Sequence, residues 1–190
     1  MMDLKGNDTK KAYIATVSGK KFYLLEPRLE DIDIHDIAHA LALQCRWTGH
    51  CKFHYSVAQH SYYCSFLGPD AEAFDRLMHD APEAYIGDMN RPLKHYTEAG
   101  KFYRQQETVI QKAIAERFGF SVVEPPSVKL ADNSMLYAEK KQIMGYKFEE
   151  AENWEHYDEN NGIVIAEWTP QQAKQMFLKR FEELYSGRLN

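Results

Sequence analysis

The sequence has 190 residues, of which 44% are apolar, 13% aromatic and 27% charged, a composition typical of a globular protein with a single domain, residues 1–190. Its formal net charge of −5 argues against a protein that coats long nucleic acids through a basic face. It has neither a run of ~20 apolar residues nor the apolar core of a signal peptide. Its three cysteines stand at unrelated spacings, which argues against a disulfide framework and predicts a cytoplasmic protein without a membrane partner.

The first structured segment is predicted to be a short β-hairpin. Two apolar runs, residues 13–17 and 22–25, flank Ser18-Gly19-Lys20, whose composition is typical of a hairpin turn. Pro27 ends this segment. We therefore expect a small β element in front of the helices, preceded by a polar tail.

From Ile34 onward, apolar residues recur at helical spacing. Glycines, prolines and capping residues divide this pattern into segments. The predicted helices are residues 34–45, a helix capped by Ser56 that ends before Gly68, residues 71–79, a short helix from Pro82 to Gly87, residues 97–118, residues 127–144, and a last helix opened by a Thr169 capping box. In the long helix 97–118, we expect the apolar face to consist of Phe102, Val109, Ile110, Ala113 and Ile114.

The predicted fold class is therefore all-α, a compact helical bundle with a small N-terminal β-hairpin. The single domain divides into a tail and hairpin (residues 1–30), a helical core (31–144), and a loop with the C-terminal helix (145–190). Within the last part, residues 153–168 are predicted to form a loop or a second small hairpin.

The pair His79-Asp80 stands at the end of an apolar helix, which places both side chains at the edge of the core. Asp80 is a candidate N-cap of the next helix, with Pro82 in its first turn. Glu83 follows one turn later, and Asp88 comes just after a glycine. Four ionisable side chains so close together beside apolar sequence indicate a functional site rather than a solvated surface.

Two further residues offer metal ligands from other helices. His60 lies on the apolar side of its helix, and Asp132 interrupts an apolar helical stripe. Taken alone, such a histidine is more often a core residue and such an aspartate a boundary residue. Together with His79-Asp80 they favour a metal site, because a cation is the natural partner of a buried carboxylate.

The order of these motifs resembles that of the HD-domain metal-dependent phosphohydrolases. The resemblance is closest to the branch of bacterial 5′-deoxynucleotidases and phage deoxynucleotide triphosphohydrolases, and it covers about residues 31–144. The matching motifs are Arg46-Trp47, Ser56-Val57-Ala58-Gln59-His60-Ser61, His79-Asp80, Glu83, Gly87-Asp88 and Pro92-Leu93-Lys94. The 19 positions from His60 to His79 are a short interval for the cellular deoxynucleotidases and resemble the compact phage members.

The resemblance implies an HD fold in which His60, His79, Asp80 and Asp132 bind a divalent transition metal. Zinc, cobalt and manganese are the expected ions, with magnesium as a further candidate. A metal in this position polarises a phosphoryl oxygen and lowers the pKa of a bound water.

The resemblance also assigns roles around the metal. Glu83 and Asp88 would orient the attacking water and shuttle protons, with Asp88 nearest the reacting phosphoryl group. Arg46 would bind phosphate bidentately. Trp47 either stacks on the sugar or base of the substrate or packs in the core. Two further cations are candidates for substrate binding, Lys94 and Arg91.

The function expected first is a triphosphohydrolase that converts a purine deoxynucleotide such as dATP to deoxynucleoside and triphosphate. The cations Arg91, Lys101 and Arg104 favour this substrate because it is more negative than a monophosphate. The alternative is a 5′-deoxynucleotidase acting on monophosphates, and a third reading is a non-catalytic nucleotide-binding module. The partner is a small deoxynucleotide, the location is the cytoplasm of a bacterial cell or phage-infected host, and relatives imply a homo-oligomer.

Other histidines are weaker candidates. His35-Asp36 is a second His-Asp pair, but no acid-rich turn follows it. Cys45, His50, Cys51 and His54 lack the paired spacing of a structural zinc site.

Overall fold

The computed structural model describes residues 12–144 and 162–186. These ranges contain eight α-helices and one two-stranded sheet, joined by loops and short turns. The strands are β1 (Ile14–Ala15) and β2 (Lys21–Phe22). The helices are α1 (Ile34–Leu43), α2 (Val57–Cys64), α3 (Ala73–Met78), α4 (Glu83–Ile86), α5 (Arg91–Tyr96), α6 (Glu98–Phe118), α7 (Pro126–Ile143) and α8 (Pro170–Ser186). The predicted all-α fold with an N-terminal hairpin is confirmed.

The hairpin is attached to α1 by a buried carboxylate. β1 and β2 are antiparallel, with Ile14 opposite Phe22. In the turn between them, the backbone N–H and the hydroxyl of Ser18 donate hydrogen bonds of 2.8 and 2.7 Å to Asp36. The second His-Asp pair therefore has a structural role through its aspartate, whereas His35 is exposed.

Side-chain caps fix the starts of three helices where the sequence predicts them. The hydroxyl of Ser56 accepts from the Gln59 N–H at the start of α2, and that of Thr97 accepts from the Gly100 N–H at the start of α6. At the start of α8, the hydroxyl of Thr169 accepts from the backbone N–H of Gln172, and the Gln172 amide oxygen accepts from the Thr169 N–H. This reciprocal pair is the predicted capping box.

The C-terminal helix closes the core over the helices that carry the site. α8 packs against α1, α2 and α3, and it buries Phe177 and Phe181 in the main hydrophobic cluster. The ring of Phe181 contacts Phe74 of α3 and Phe118 of α6. This packing fixes α2 and α3 relative to each other, which sets the positions of His60 and His79.

Helices α5 and α6 are in close contact, and their arrangement differs from the prediction in two respects. The short helix α5 was not predicted. A Cβ atom at Gly100 would overlap the carbonyl groups of α5, so the approach of the two helices requires glycine there. Phe102 and Val109 are 55% and 40% exposed, so the prediction that they are buried is wrong. Ile110 and Ile114 are buried as predicted, and Tyr103 joins them on the buried face.

The predicted loop or hairpin of residues 153–168 falls partly outside the described residues. Its described part, residues 162–168, is neither helix nor strand. Within the described ranges, no helix is long and apolar enough to span a membrane.

Candidate metal centre and adjoining cleft

Four side chains from α2, α7 and the turn after α3 come together at one point of the core. His60 Nε2 lies 3.5 Å from Asp132 Oδ1 and 3.7 Å from Asp80 Oδ2. His79 Nε2 lies 3.2 Å from the same Asp80 oxygen. The His60 side chain is completely buried, and the others are 8–25% exposed. The structure thus brings together the four residues that the sequence singled out as metal ligands.

Both imidazole rings direct Nε2 at this point because Nδ1 is engaged elsewhere. His79 Nδ1 lies 2.7 Å from the carbonyl oxygen of Arg76, which can only accept, so Nδ1 must donate. His60 Nδ1 lies 2.6 Å from Glu139 Oε1. His79 Nε2 is buried and, although Asp80 Oδ2 is 3.2 Å away, it makes no aligned hydrogen bond among the described residues. Two nitrogens and two carboxylates arranged in this way could hold a metal ion.

A thiol adds a fifth donor that the sequence reasoning missed. Cys64 Sγ lies 3.4 Å from His60 Nε2, one helical turn along α2. The donor atoms of His60, Cys64 and His79 all lie within 4.8 Å of one another, so these three side chains could hold a metal ion. The signal available in the sequence was the spacing of four positions between His60 and Cys64.

In the metal-free protein, these groups stabilise one another's charges. Burial alone would lower the pKa of His79, but the nearby carboxylate of Asp80 raises it above its usual value. Burial likewise opposes the charged form of Asp132, yet the hydrogen bond from His60 holds the pKa of Asp132 well below its usual value. The pKa of His60 is raised as well, so both His60 and His79 favour the protonated form. A metal ion that binds to these two side chains therefore replaces protons.

Asp80 does not cap a helix, which corrects the sequence prediction. Pro82 precedes the first residue of α4, and no side-chain cap is present there. The Asp80 carboxylate instead faces His79 and the guanidinium of Arg46, whose Nη1 atom is 3.5 Å away. Ion pairing with two cations outweighs what a single capping hydrogen bond would contribute.

Glu83 and Asp88 lie within electrostatic reach of the metal ligands. Glu83 is 5% exposed, and its Oε2 atom has no hydrogen-bond partner in the described part of the chain. Burial, together with repulsion by Asp80 and Asp88, raises the pKa of Glu83 well above its usual value. The pKa of Asp88 is raised by partial burial and by Asp80.

Gln44, which the sequence reasoning did not single out, links these two acids. Its side-chain N–H group donates to the backbone carbonyl of Glu83 at 2.9 Å, and its side-chain oxygen accepts from the Asp88 backbone N–H at 3.0 Å. The end of α1 therefore sets the distance between Glu83 and Asp88.

Arg46 and Trp47 meet the metal centre from the loop after α1. Arg46 Nε lies 3.2 Å from Glu139 Oε2, and the indole N–H of Trp47 donates to the same oxygen at 2.8 Å. Trp47 and Thr48 have left-handed backbone angles, φ 57° and 53°, which are strained for residues other than glycine. The fold holds this turn in a costly conformation, and the turn keeps Arg46 against Asp80 and Glu139.

A cleft of about 310 Å³ adjoins the metal centre, and His79, Asp80 and Asp132 form part of its wall. Two lysines, Lys94 and Lys129, also line it. Each lysine is already paired with an acid in the same wall. Lys94 Nζ lies 2.7 Å from Glu107, and Lys129 Nζ lies 2.9 Å from Asp132. The wall also includes two further acids and several polar and apolar side chains. These are Asp75 and Glu124, the polar residues Thr108, Gln111 and Ser121, and the apolar residues Phe120, Val122 and Val128.

The remaining predicted substrate residues do not line this cleft. Arg91 and Lys101 are exposed, and neither belongs to its described wall. The Arg104 guanidinium donates to the backbone carbonyl of Lys94 and is also absent from the wall. Arg46 and Trp47 contact the metal-centre residues instead. The cations that favoured a triphosphate are therefore not gathered at the cleft.

Comparison with known proteins identifies relatives but no activity. The chain is 37% identical over 176 residues to the uncharacterized protein YfdR of Escherichia coli K12, which covers 91% of this chain and 96% of YfdR. It is 36% identical over 156 residues to the uncharacterized protein RCAP_rcc00048 of Rhodobacter capsulatus, which covers 75% of this chain and 79% of that protein. No family model matches. The chemistry must therefore be inferred from the site.

Proposed function

The chain belongs to the protein family that includes YfdR of Escherichia coli, and on this premise we propose that it is a metal-dependent hydrolase of deoxynucleotide phosphate esters. One observation carries the proposal: His60, His79, Asp80 and Asp132 meet beside a cleft. The buried Glu83 follows Asp80 by three residues, and its Oε2 atom has no hydrogen-bond partner in the described part of the chain. The resemblance of the motifs to HD-domain phosphohydrolases supports the same chemistry.

The donor set indicates which ions would bind. Imidazole nitrogens favour zinc and cobalt over magnesium, and the Cys64 thiol strengthens that preference. A divalent ion held by these residues would polarise a phosphoryl oxygen and lower the pKa of a water molecule.

The protein's own groups supply the remaining chemistry. The Oε2 atom of Glu83 has no hydrogen-bond partner among the described residues and, when ionised, would accept the proton of the attacking water. Asp88 would hold that water in line with the phosphorus atom. Arg46 would neutralise charge that develops on the phosphoryl oxygens, because its guanidinium already lies against the metal ligand Asp80.

The cleft favours a monophosphate substrate. Its volume of about 310 Å³ lies at the low end of the ~300–1,000 Å³ found for small-molecule sites. Five acids, Asp75, Asp80, Glu107, Glu124 and Asp132, share its wall with only two lysines. A triphosphate would meet more repulsion there than a monophosphate. The apolar and polar side chains of the wall suit a nucleoside, so 5′-deoxynucleotidase activity is the function we favour.

Product analysis tests this proposal. Protein loaded with zinc, cobalt or manganese should convert dAMP to deoxyadenosine and orthophosphate, whereas the chelator-treated protein and His79→Ala should not. Release of triphosphate from dATP, with dAMP unchanged, would identify the triphosphohydrolase expected first from the sequence. Nucleotide binding without turnover of either substrate would contradict the proposal and indicate a non-catalytic module.

A further inference from the structure

We propose that Glu139 is a positioning residue that holds a metal ligand with one carboxylate oxygen and the phosphate-binding arginine with the other. This inference rests on the proposed function. Glu139 is completely buried, and none of the motifs that carry the family resemblance includes it. It lies seven residues after Asp132 on α7, so both acids share one face of that helix.

The two oxygens of Glu139 serve different partners. Oε1 lies 2.6 Å from His60 Nδ1. Oε2 accepts from the indole N–H of Trp47 at 2.8 Å and from Arg46 Nε at 3.2 Å. A buried carboxylate costs much free energy unless its oxygens are hydrogen-bonded, and these three donors meet that requirement. The single charge of Glu139 thus connects the loop after α1 with α2 and α7.

The contact with His60 bears on metal binding. A histidine that donates Nδ1–H to a carboxylate presents Nε2 as the coordinating atom, and the carboxylate makes that nitrogen more basic. His60 Nε2 is the atom that lies near Asp80 and Asp132. Without Glu139, the tautomer and orientation of His60 would no longer be fixed, and metal affinity would fall.

The contact with Arg46 bears on substrate binding. Arg46 bridges Glu139 through Nε and Asp80 through Nη1, so two carboxylates fix the plane of the guanidinium. A planar donor recognises phosphate only when its orientation is set. Loss of Glu139 should therefore weaken phosphate binding at the same time as metal binding, although Glu139 touches neither ligand.

The test compares Glu139→Gln with Asp36→Asn, a control in which another buried carboxylate loses its charge, one that accepts two hydrogen bonds from Ser18 of the hairpin turn. Zinc affinity, measured by competition with a chelator, should fall by about 10- to 100-fold in Glu139→Gln. Inhibition by inorganic phosphate should weaken by about tenfold. Asp36→Asn should lose stability but keep both affinities.

The controls separate this inference from the proposed function. If the wild type binds no zinc, the proposed function fails. If wild type and Glu139→Gln bind zinc and phosphate equally, only the role of Glu139 is overturned. Should Glu139→Gln fail to fold, nitrogen NMR of the zinc-loaded wild type decides. A protonated Nδ1 and a metal-bound Nε2 in His60 support the inference, and coordination through Nδ1 overturns it.

Discussion

Asp132 Oδ1 lies 3.5 Å from Nε2 of His60, although the two residues belong to helices far apart in the chain, α7 and α2. These two residues of the site therefore come together only when α7 packs against α2. The contact is buried on the His60 side and partly open on the Asp132 side, which faces the cleft.

Removal of the Asp132 carboxylate should abolish tight metal binding while leaving the fold intact. Asp132→Ala removes one donor from the set and one of the two carboxylates that face His60 Nε2, so we expect zinc affinity to fall by about 100-fold. Chelator competition measures the affinity. Lys129→Ala, which removes the other ion-pair partner of Asp132, is the control and should change zinc affinity by less than about threefold. Equal affinity in Asp132→Ala and wild type would remove Asp132 from the ligand set.

Cys64 should contribute a sulfur ligand to zinc. A nitrogen at ~2.1 Å and a sulfur at ~2.3 Å that bind the same zinc ion at an angle of about 110° would be about 3.6 Å apart, close to the 3.4 Å between His60 Nε2 and Cys64 Sγ. X-ray absorption at the zinc edge should show one sulfur at ~2.3 Å in the wild type. The sulfur should vanish in Cys64→Ala and persist in Cys45→Ala. A shell of only nitrogen and oxygen in the wild type would show that Cys64 is not a ligand.

Glu83 should make the metal-free protein less stable as the pH rises. Burial and the nearby carboxylates raise its folded-state pKa, so its favourable contribution is present at low pH and is lost as the pH rises through that pKa. Glutamine does not ionise, so Glu83→Gln avoids this loss of stability at higher pH. Thermal unfolding in chelator at neutral pH should show Glu83→Gln with a Tm higher than wild type by about 2–4 °C or more, and the difference should shrink near pH 4.

The exposed Glu116→Gln is the matched control for this comparison. It removes a carboxylate from the surface of α6, so its Tm should follow that of the wild type at every pH. A Glu83→Gln protein less stable than wild type at neutral pH would mean that the Glu83 charge is compensated in the folded state.

Lys94 should bind the substrate phosphate from the cleft. Its ammonium group lines the cleft beside His79 and Asp80, held by Glu107. Lys94→Ala should raise the KM for dAMP by about tenfold or more, with a smaller change in kcat. Lys101→Ala removes an exposed lysine of α6 outside the described cleft wall and should leave both constants unchanged. The reverse pattern, in which only Lys101→Ala raises KM, would place the phosphate elsewhere.

Local signals in the sequence were sufficient for much of the fold. The caps at Ser56 and Thr169 depend on side chains within three residues of the helix start, so their spacing alone predicts them. The same holds for the hairpin turn around Ser18. His60 and Asp132 were singled out because a polar residue on an apolar helical face is visible in the residue pattern itself.

Features that depend on packing could not be derived in the same way. The role of Glu139 follows from the approach of α7 to the loop after α1, and only its seven-residue spacing from Asp132 hinted at a shared face. The clustering of Arg91, Lys101 and Arg104 in the sequence did not predict a phosphate site, because Arg91 and Lys101 are exposed outside the cleft wall. Phe102 was misplaced because the buried stripe of α6 begins one position later.

If the residues around His60 and His79 bind a metal ion that is required for phosphate ester hydrolysis, activity must follow metal loading. The most direct test is to titrate zinc, cobalt or manganese into chelator-stripped protein and to measure orthophosphate released from dAMP. We predict no release without metal, a rise that reaches its plateau at about one ion per chain, and no recovery in His79→Ala at the same metal concentrations. Hydrolysis of dAMP at the full rate in the stripped protein, or equal recovery in His79→Ala, would contradict the account.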